Sequence, residues 1–234
     1  MLKHFERPRL VPWIFFLVCF TGTLALGTWQ VERLHWKQGL IAELAAANAQ
    51  APLTQLPSDA PALDALQFHK VTLKGTWVNN VEFDLTPRYF RDQFGYAIIS
   101  PFKLADGRVV LINRGWVPAA KKDAASRPET AVHGRATITG LVRVGAERNW
   151  VMPANQPEKN LWFGRDIADM AAFAKLDNVV PAMVDLTGTQ DLAKLPIPSD
   201  GTIRLRNDHL SYVITWYGIA AGILVIFLVY HRKK

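Results

Sequence analysis

The feature that most constrains this 234-residue sequence is an uncharged run near its C-terminus. The 21 residues of Leu210–Tyr230 contain no charged side chain, and a helix of that length is long enough to cross the hydrocarbon of a bilayer. A second uncharged run of 22 residues occupies Leu10–Val31. We therefore expect a membrane protein with transmembrane helices at 10–31 and 210–230. The 178 residues between them, 32–209, are enough for one domain with its own core.

The charge of the two short tails predicts the orientation of this arrangement. Tails 1–9 and 231–234 hold six basic residues against one acidic residue, and cytoplasmic segments are enriched in Lys and Arg. Both tails are therefore expected in the cytoplasm and the domain outside it. Basic residues at the opposite boundary, among them Arg204, weaken this contrast. The sequence pI of about 9.6 thus indicates membrane topology rather than nucleic-acid binding.

The first apolar run is expected to be a retained helix. A signal-peptide core is usually about 7–15 residues long, and this run is longer, although Ala25-Leu26-Gly27 resembles a cleavage site. The only cysteine, Cys19, lies inside the run, which excludes a disulfide within the chain and zinc or iron–sulfur sites built from several cysteines. A bacterial inner membrane, with the domain in the periplasm, is the simplest compartment. A trimmed organellar protein is the alternative.

Alternating apolar residues predict a domain of short strands. The expected strands cover 71–77, 81–85, 96–100, 109–112, 136–144, 179–186 and 202–205, with a turn at Asn79-Asn80 and a tight turn at Asp106-Gly107. Asp166 is expected to cap a helix of about ten residues that ends near Leu176. No βαβ rhythm or repeat is present. We predict an α+β domain built on an antiparallel, barrel-like β-sheet.

Helical spacing also extends the first span and suggests how the two spans meet. Trp29, Arg33 and Lys37 follow helical spacing, so the helix is expected to leave the membrane and continue to about Asn48. Small residues at Thr23 and Gly27, and at Gly218 and Gly222, are spaced for close approach of helices in lipid. Antiparallel packing of the spans through these positions is one interpretation. The other is that glycines are simply frequent in membrane helices.

Two places carry residues with binding chemistry. His209 lies at the mouth of the second span, with Tyr212, Val213 and Trp216 on the same helical face. A histidine there is either a metal or haem ligand or an interfacial anchor. Arg114 next to Trp116 either holds a carboxylate or is a solvated cation at the end of a strand beside a core tryptophan.

Enzyme signatures are missing from the sequence. There is no Gly-x-Gly-x-x-Gly, phosphate loop, His-Glu-x-x-His or Gly-x-Ser-x-Gly, and the six histidines are not paired at ligand spacing. We therefore do not expect an enzyme.

Several stretches together resemble the Surfeit locus one family, membrane proteins that assist the assembly of haem-copper terminal oxidases. The resemblance covers nearly the whole chain, and the order and spacing of its pieces are highly specific. It includes Gly27-x-Trp29-Gln30-x-x-Arg33-x-x-x-Lys37, Pro87-Arg88 with Gly95, Val110-Leu111-Ile112-Asn113-Arg114-Gly115-Trp116-Val117-Pro118, Pro153-x-Asn155 with Trp162 and Asp166, Arg206-Asn207-Asp208-His209-Leu210-x-Tyr212, and Thr215-Trp216-Tyr217.

The resemblance implies a function and a set of site residues. Family members supply haem a to the catalytic subunit of cytochrome c oxidase, and the histidine that matches their haem ligand is His209. The implied partners are that subunit, haem a synthase and the lipid bilayer, with no nucleic acid. The sequence departs from the family motif at Asp208, where we associate the family with asparagine. The resemblance implies that His209 is the iron ligand. The other implied haem-binding residues are Tyr212, Trp216, Arg33, Arg206, Trp29 and Arg114.

Three functions stay open on the sequence alone. The first is an assembly chaperone that binds haem a transiently and inserts it into the oxidase subunit. The second is a scaffold that stabilises the same subunit without binding haem. The third, a membrane-tethered enzyme, lacks a catalytic constellation.

Overall fold

The computed structural model describes residues 10–78, 81–145, 151–202 and 207–232. Its contacts divide the chain into two compact units. One unit, the helix pair, combines 1–43 with 204–234, and the other, the β domain, comprises 44–203. The predicted Asn79-Asn80 turn and most of the predicted strand at 202–205 lie outside the described residues.

The two apolar runs form the two longest helices. Helix α1 is Leu10–Ala49 and helix α4 is His209–Tyr230, and both are long and apolar enough to cross a membrane. The 40 residues of α1 correspond to roughly 60 Å, about twice the hydrocarbon thickness of a bilayer. The prediction that this helix continues past its apolar segment to about Asn48 is therefore confirmed.

The contacts within the helix pair run antiparallel. Phe16 stacks on Phe227 with ring centroids 4.0 Å apart, and near the other end of the contact Gln30 bonds His209. The residues of α4 that face α1 recur every three to four positions, which is the helical period. Its buried or half-buried positions are His209, Val213, Trp216, Ala220, Ile223, Phe227 and His231.

Among the residues that the structure describes, seven strands form the sheet of the β domain. They are β1 Lys70–Trp77, β2 Phe83–Phe90, β3 Gln93–Leu104, β4 Val109–Pro118, β5 Arg135–Val144, β6 Leu161–Trp162 and β7 Val179–Leu186. The order is β1-β5-β7-β4-β3-β2-β6, and an additional pairing of β1 with β3 closes five of the strands into a ring. The 12 residues of β3 make this closure possible, because its Phe102–Leu104 end pairs with β1 while its earlier residues pair with β2.

The expectation of an antiparallel sheet is correct for most pairings and wrong for two. Strand β4 pairs with β7 in parallel, and β2 pairs with β6 in parallel. Strand β7 is reached after a long segment that carries β6 and a short helix at Ile167–Phe173, so no hairpin turn forces β7 to be antiparallel to β4. The sheet is therefore mixed.

Two clusters of buried side chains form the core. The first fills the ring with alternate residues of β1, β3, β4, β5 and β7, among them Val71, Phe102 and Val184. The second lies on the opposite face of the sheet, where Trp162 and Met170 pack on β2, β3, β4 and β7. A short helix α2, Ala60–Ala65, is capped by Asp59, whose carboxylate accepts from the Ala62 N–H.

Helix α3, Ile167–Phe173, begins where the sequence predicted and is shorter than predicted. The carboxylate of Asp166 accepts the N–H of Asp169, which is the expected N-cap. The helix ends at Phe173, two residues before Lys175 adopts a left-handed φ of 52°. A left-handed residue at this point is a common way to end a helix.

Candidate functional site

His209 is the first residue of α4 and is held by a side chain of α1. Its Nδ1 lies 2.7 Å from Oε1 of Gln30, a residue 179 positions earlier in the chain. Gln30 is only 8% exposed, whereas His209 is half-buried. The amide thus lies inside the helix pair, and the imidazole lies at its edge. In the neutral imidazole, a ring nitrogen that donates leaves the other nitrogen with its lone pair.

The helices also approach closely near this bond, three residues before Gln30 on α1 and eight residues after His209 on α4. A Cβ added at Gly27 would lie 2.8 Å from Cε1 of Tyr217, so only glycine fits there without movement of the tyrosine ring. The hydroxyl of Tyr217 lies 3.2 Å from Oγ1 of Thr28. This contact brings α1 and α4 together beside the Gln30–His209 bond. The prediction that Gly27 is a packing position is confirmed.

The predicted role of two other glycines is wrong. Around a Cβ built on Gly218 or Gly222, no described residue comes within 4 Å. Ala220 instead lies in the contact and is 2% exposed. Because 218 and 222 share a helical face that does not include 220, the Gly-x-x-x-Gly pattern is on the wrong side of α4 to meet α1.

The aromatic residues predicted around His209 fall into two groups. Trp216 and Val213 are half-buried with His209 on the contact face. Tyr212 is 51% exposed and Trp29 is 50% exposed, so both present rings at the surface of the helix pair. The prediction that Tyr212 shares the face of His209 therefore holds only in part, because Tyr212 lies at the edge of that face.

Among the described residues of the helix pair, Arg33 is the predicted cation that is exposed. The exposed guanidinium of Arg33 stacks on the Trp36 ring, 4.5 Å from its centroid. Arg33 follows Gln30 by three residues, close to one helical turn. Arg206 lies outside the described residues.

Arg114 is neither solvated nor available to a ligand. It is 6% exposed, and its Nη1 donates to Oε1 of Glu82 at 2.7 Å. Its Nη2 donates to the carbonyl of Thr130. Arg114 does hold a carboxylate, but that carboxylate belongs to the β domain. Trp116 is 9% exposed, as a core tryptophan should be.

Glu82 is the centre of a cluster of ion pairs that the sequence analysis did not predict. Its second oxygen, Oε2, accepts from Nη2 of Arg127 at 2.7 Å, and Arg127 is 1% exposed. One carboxylate thus pairs two buried guanidinium groups from β4 and from the segment before β5. Buried arginines need such partners, because an unpaired buried charge is strongly unfavourable. Glu82 lies 32 positions before Arg114 and 45 positions before Arg127, so no local sequence motif indicates the cluster.

Beside this cluster the β domain has a cavity of about 760 Å³. Its wall includes Asp84, which is 4% exposed and accepts from Nδ2 of Asn160 at 3.1 Å. Burial raises the pKa of Asp84 from 3.8 to about 6, against the lowering effect of Lys122 and Arg127. Lys122 also lines the cavity, and its ammonium donates to the carbonyl of Lys159.

A metal site with several protein ligands does not occur among the described residues. They contain no group of three His, Cys, Asp or Glu side chains placed to hold a metal ion. Haem iron needs only one protein ligand, because the porphyrin supplies four. A half-buried His209 with Nδ1 engaged fits that requirement, and Trp29 and Tyr212 present exposed rings on the same helix pair. The exposed Arg33 is a suitable partner for a carboxylate.

Comparison with known proteins decides the family. A model of the SURF1 family matches residues 17–221. The chain belongs to the SURF1 family. It is 32% identical to Surfeit locus protein 1 of Homo sapiens over 93% of this chain and 76% of the human protein. It is 34% identical to a SURF1-like protein of Monosiga brevicollis over 90% and 84% of the two chains. The match to a SURF1-like protein of Drosophila melanogaster is 32% identical, over 93% and 77%.

The family match covers most of the helix pair and all of the β domain. It includes Gln30, His209 and Glu82, so the arrangement described above lies within the matched region. The family resemblance inferred from the sequence motifs is thereby confirmed.

Proposed function

We propose that this protein is an assembly factor for a haem-copper terminal oxidase, which binds haem a through His209 and assists its insertion into the catalytic subunit. The observation that carries the proposal is the Gln30–His209 bond at the mouth of an apolar helix pair. Membership of the SURF1 family supports the assembly role. The protein acts as a carrier and not as an enzyme.

The chemistry of haem a matches the surroundings of His209. Haem a is amphipathic, with an apolar prenyl tail and two carboxylates. His209 supplies an imidazole nitrogen to the iron, and Trp29, Tyr212 and Trp216 offer aromatic surface beside it. Arg33 and Arg206 are proposed to hold the carboxylates. Arg114 is left out of this set because its guanidinium is committed to Glu82. The haem, when bound, supplies an iron centre that is cargo for the oxidase.

The packing of the helices supports binding of this cargo on their outside. Even a single Cβ at Gly27 would lie 2.8 Å from the ring of Tyr217, so α1 and α4 leave no width for a porphyrin between them at that level. Binding at the edge of the helix pair suits a carrier, because an exposed cargo can pass to a partner without separation of the helices.

Haem binding is tested by spectroscopy on the full chain purified from cells that make haem a. We expect a bound-haem spectrum in the wild type that is lost in His209→Ala at unchanged protein level. His35→Ala is the matched control, since His35 is an exposed histidine on α1, and it should keep the spectrum. A wild type without haem, which still supports oxidase assembly, would favour the scaffold function.

We further propose that α1 and α4 cross a membrane, with both termini in the cytoplasm and the β domain on the opposite side. The two apolar helices and the basic tails support this topology. The inner membrane of a bacterium, with the β domain in the periplasm, is the proposed location. An oxidase that sits in the same membrane would then meet the helix pair directly.

Cysteine labelling tests the topology, since the chain has a single cysteine. In a Cys19→Ser background, Glu129→Cys on the exposed surface of the β domain should react with a membrane-impermeant maleimide in cells with a permeable outer membrane. Arg232→Cys should react only after lysis. The reverse pattern would overturn the orientation.

A further inference from the structure

The bond between Gln30 and His209 also indicates which ring nitrogen of His209 carries the proton. The atom of Gln30 that faces the imidazole is Oε1, a carbonyl oxygen, and a carbonyl oxygen only accepts. The proton in the bond must therefore come from Nδ1 of His209. A neutral imidazole carries one ring proton, so Nε2 then has a free lone pair.

Gln30 lies in the packed part of the helix pair. Gln30 is 8% exposed, in the same contact as Gly27 and Tyr217. The histidine at the edge of the pair is thus oriented by a residue in the packed part of the pair.

We propose that Gln30 is a positioning residue that holds His209 in the Nδ1–H tautomer and so presents Nε2 as the iron ligand. This inference rests on the proposed function for the identity of the ligand, but the tautomer is a property of the protein alone. A second residue that accepts the remaining N–H of a ligating histidine orients the ring and raises its basicity.

The direction of the bond has a consequence for the cargo. The two ring nitrogens point in diverging directions, so a group on Nε2 lies away from Gln30 and from the contact with α1. The iron is then bound at the edge of the helix pair. Loss of the Gln30 bond would free the ring to turn and weaken its hold on the iron.

The first experiment reads the tautomer without haem. The full chain, labelled with ¹⁵N-histidine in detergent, is compared at pH 8.5 with His209→Asn, which identifies the His209 signals. We expect Nδ1 of His209 to be protonated and Nε2 to be unprotonated in the wild type. In Gln30→Met, which keeps the length of the side chain without the acceptor, the Nε2–H form should appear. Gln38→Met, eight residues along α1 at an exposed position, should leave the tautomer unchanged.

The second experiment adds haem a to the same proteins. Loss of a residue that orients a metal ligand typically costs 10–100-fold in affinity, so Gln30→Met should bind haem a at least roughly tenfold more weakly than Gln38→Met. Gln30→Glu should restore a strong acceptor, and its haem should have a lower reduction potential and a stronger iron–histidine stretching band than the wild type. If Gln30 had only a structural role, Gln30→Glu would change neither the reduction potential nor the iron–histidine stretching band.

The outcomes separate the two proposals. Two results would overturn the role of Gln30 whether or not haem binds. One is an Nε2–H tautomer of His209 in the wild type. The other is a tautomer in Gln30→Met that is the same as in the wild type. The expected tautomer in a wild type that does not bind haem a would overturn the proposed function and the assignment of Nε2 as an iron ligand. It would leave the tautomer assignment standing. Equal haem affinity and equal spectra in Gln30→Met and Gln38→Met would also overturn the positioning role.

Discussion

In the β domain, two buried arginines hold Glu82 between them, whereas in the helix pair the buried Gln30 holds only one nitrogen of His209. Arg114 and Arg127 each donate to two or more protein acceptors, so the fold already uses most of their polar atoms. His209 keeps a second nitrogen at the edge of its unit. The comparison shows that the apparent suitability of a residue for binding depends on how many of its polar atoms the fold already uses.

The largest effect is expected from breaking the charge centre of the β domain. Glu82→Leu would leave Arg114 and Arg127 without their carboxylate, and removal of one partner of a buried ion pair typically costs about 3–5 kcal/mol. Urea unfolding of the full chain in detergent should show this loss. Asp106→Asn is the control, because its pair with Arg108 is exposed and should contribute less than about 1 kcal/mol. Equal losses in the two variants would mean that the centre is not buried as described.

The close contact of the helix pair gives the next largest effect. Gly27→Leu places a side chain against the ring of Tyr217 and should separate α1 from α4, whereas Gly222→Leu enters open space. The separation can be followed by oxidative cross-linking of Phe16→Cys with Phe227→Cys in a Cys19→Ser background, since those rings stack at 4.0 Å. Slower cross-linking in Gly222→Leu than in Gly27→Leu would contradict the packing.

The buried carboxyl of Asp84 predicts a pH dependence. Burial raises its pKa to about 6, so the folded chain holds this proton more tightly than the unfolded chain, whose value is near 3.8. Stability from this group is therefore present below about pH 4 and is lost as the pH rises through 6. Asp84→Asn should raise the free energy of unfolding relative to wild type at pH 8, and the gain should disappear near pH 4.

The exposed neighbour Asp123 supplies the control for that experiment. Asp123→Asn should give no comparable gain at pH 8 because its side chain is at the surface. A gain in Asp84→Asn that is the same at pH 8 and pH 4 would show that the proton of Asp84 is not responsible.

The smallest effect is expected at the surface of the helix pair. Arg33→Gln should weaken haem a binding by roughly tenfold if the guanidinium holds a carboxylate that is partly shielded, and by less if water screens it. Arg206→Gln should act in the same way. Lys74→Gln, on an exposed part of β1, should have no comparable effect in a haem titration at one ionic strength. Equal losses of haem a affinity in the three variants would indicate that the overall positive charge of the protein attracts haem a, and not a specific pair with Arg33 or Arg206.

Much of the architecture follows from periodicity. The long helices, most strands and the Asp166 cap were predictable because apolar spacing and capping chemistry are local properties. The parallel pairing of β4 with β7 was not predictable, because it depends on a long connection and not on the residues of either strand.

The candidate site was predictable only in part for the same reason. His209 is recognisable as an ionisable residue at a helix mouth, but its partner Gln30 is 179 positions away. Spacing places Gly218 and Gly222 on one face without saying which face meets α1. Arg114 looked available because its partner Glu82 belongs to another strand region, 32 residues earlier.

Transfer of haem a from the purified full chain to the haem-free catalytic subunit of an oxidase tests the account most directly. The absorbance of the oxidase haem should develop with wild type and with His35→Ala as donors, and should fail to develop with His209→Ala. Cells that carry His209→Ala at normal protein level should then contain little assembled oxidase. Normal oxidase assembly in those cells, or equal transfer by wild type and His209→Ala, would contradict haem delivery through His209.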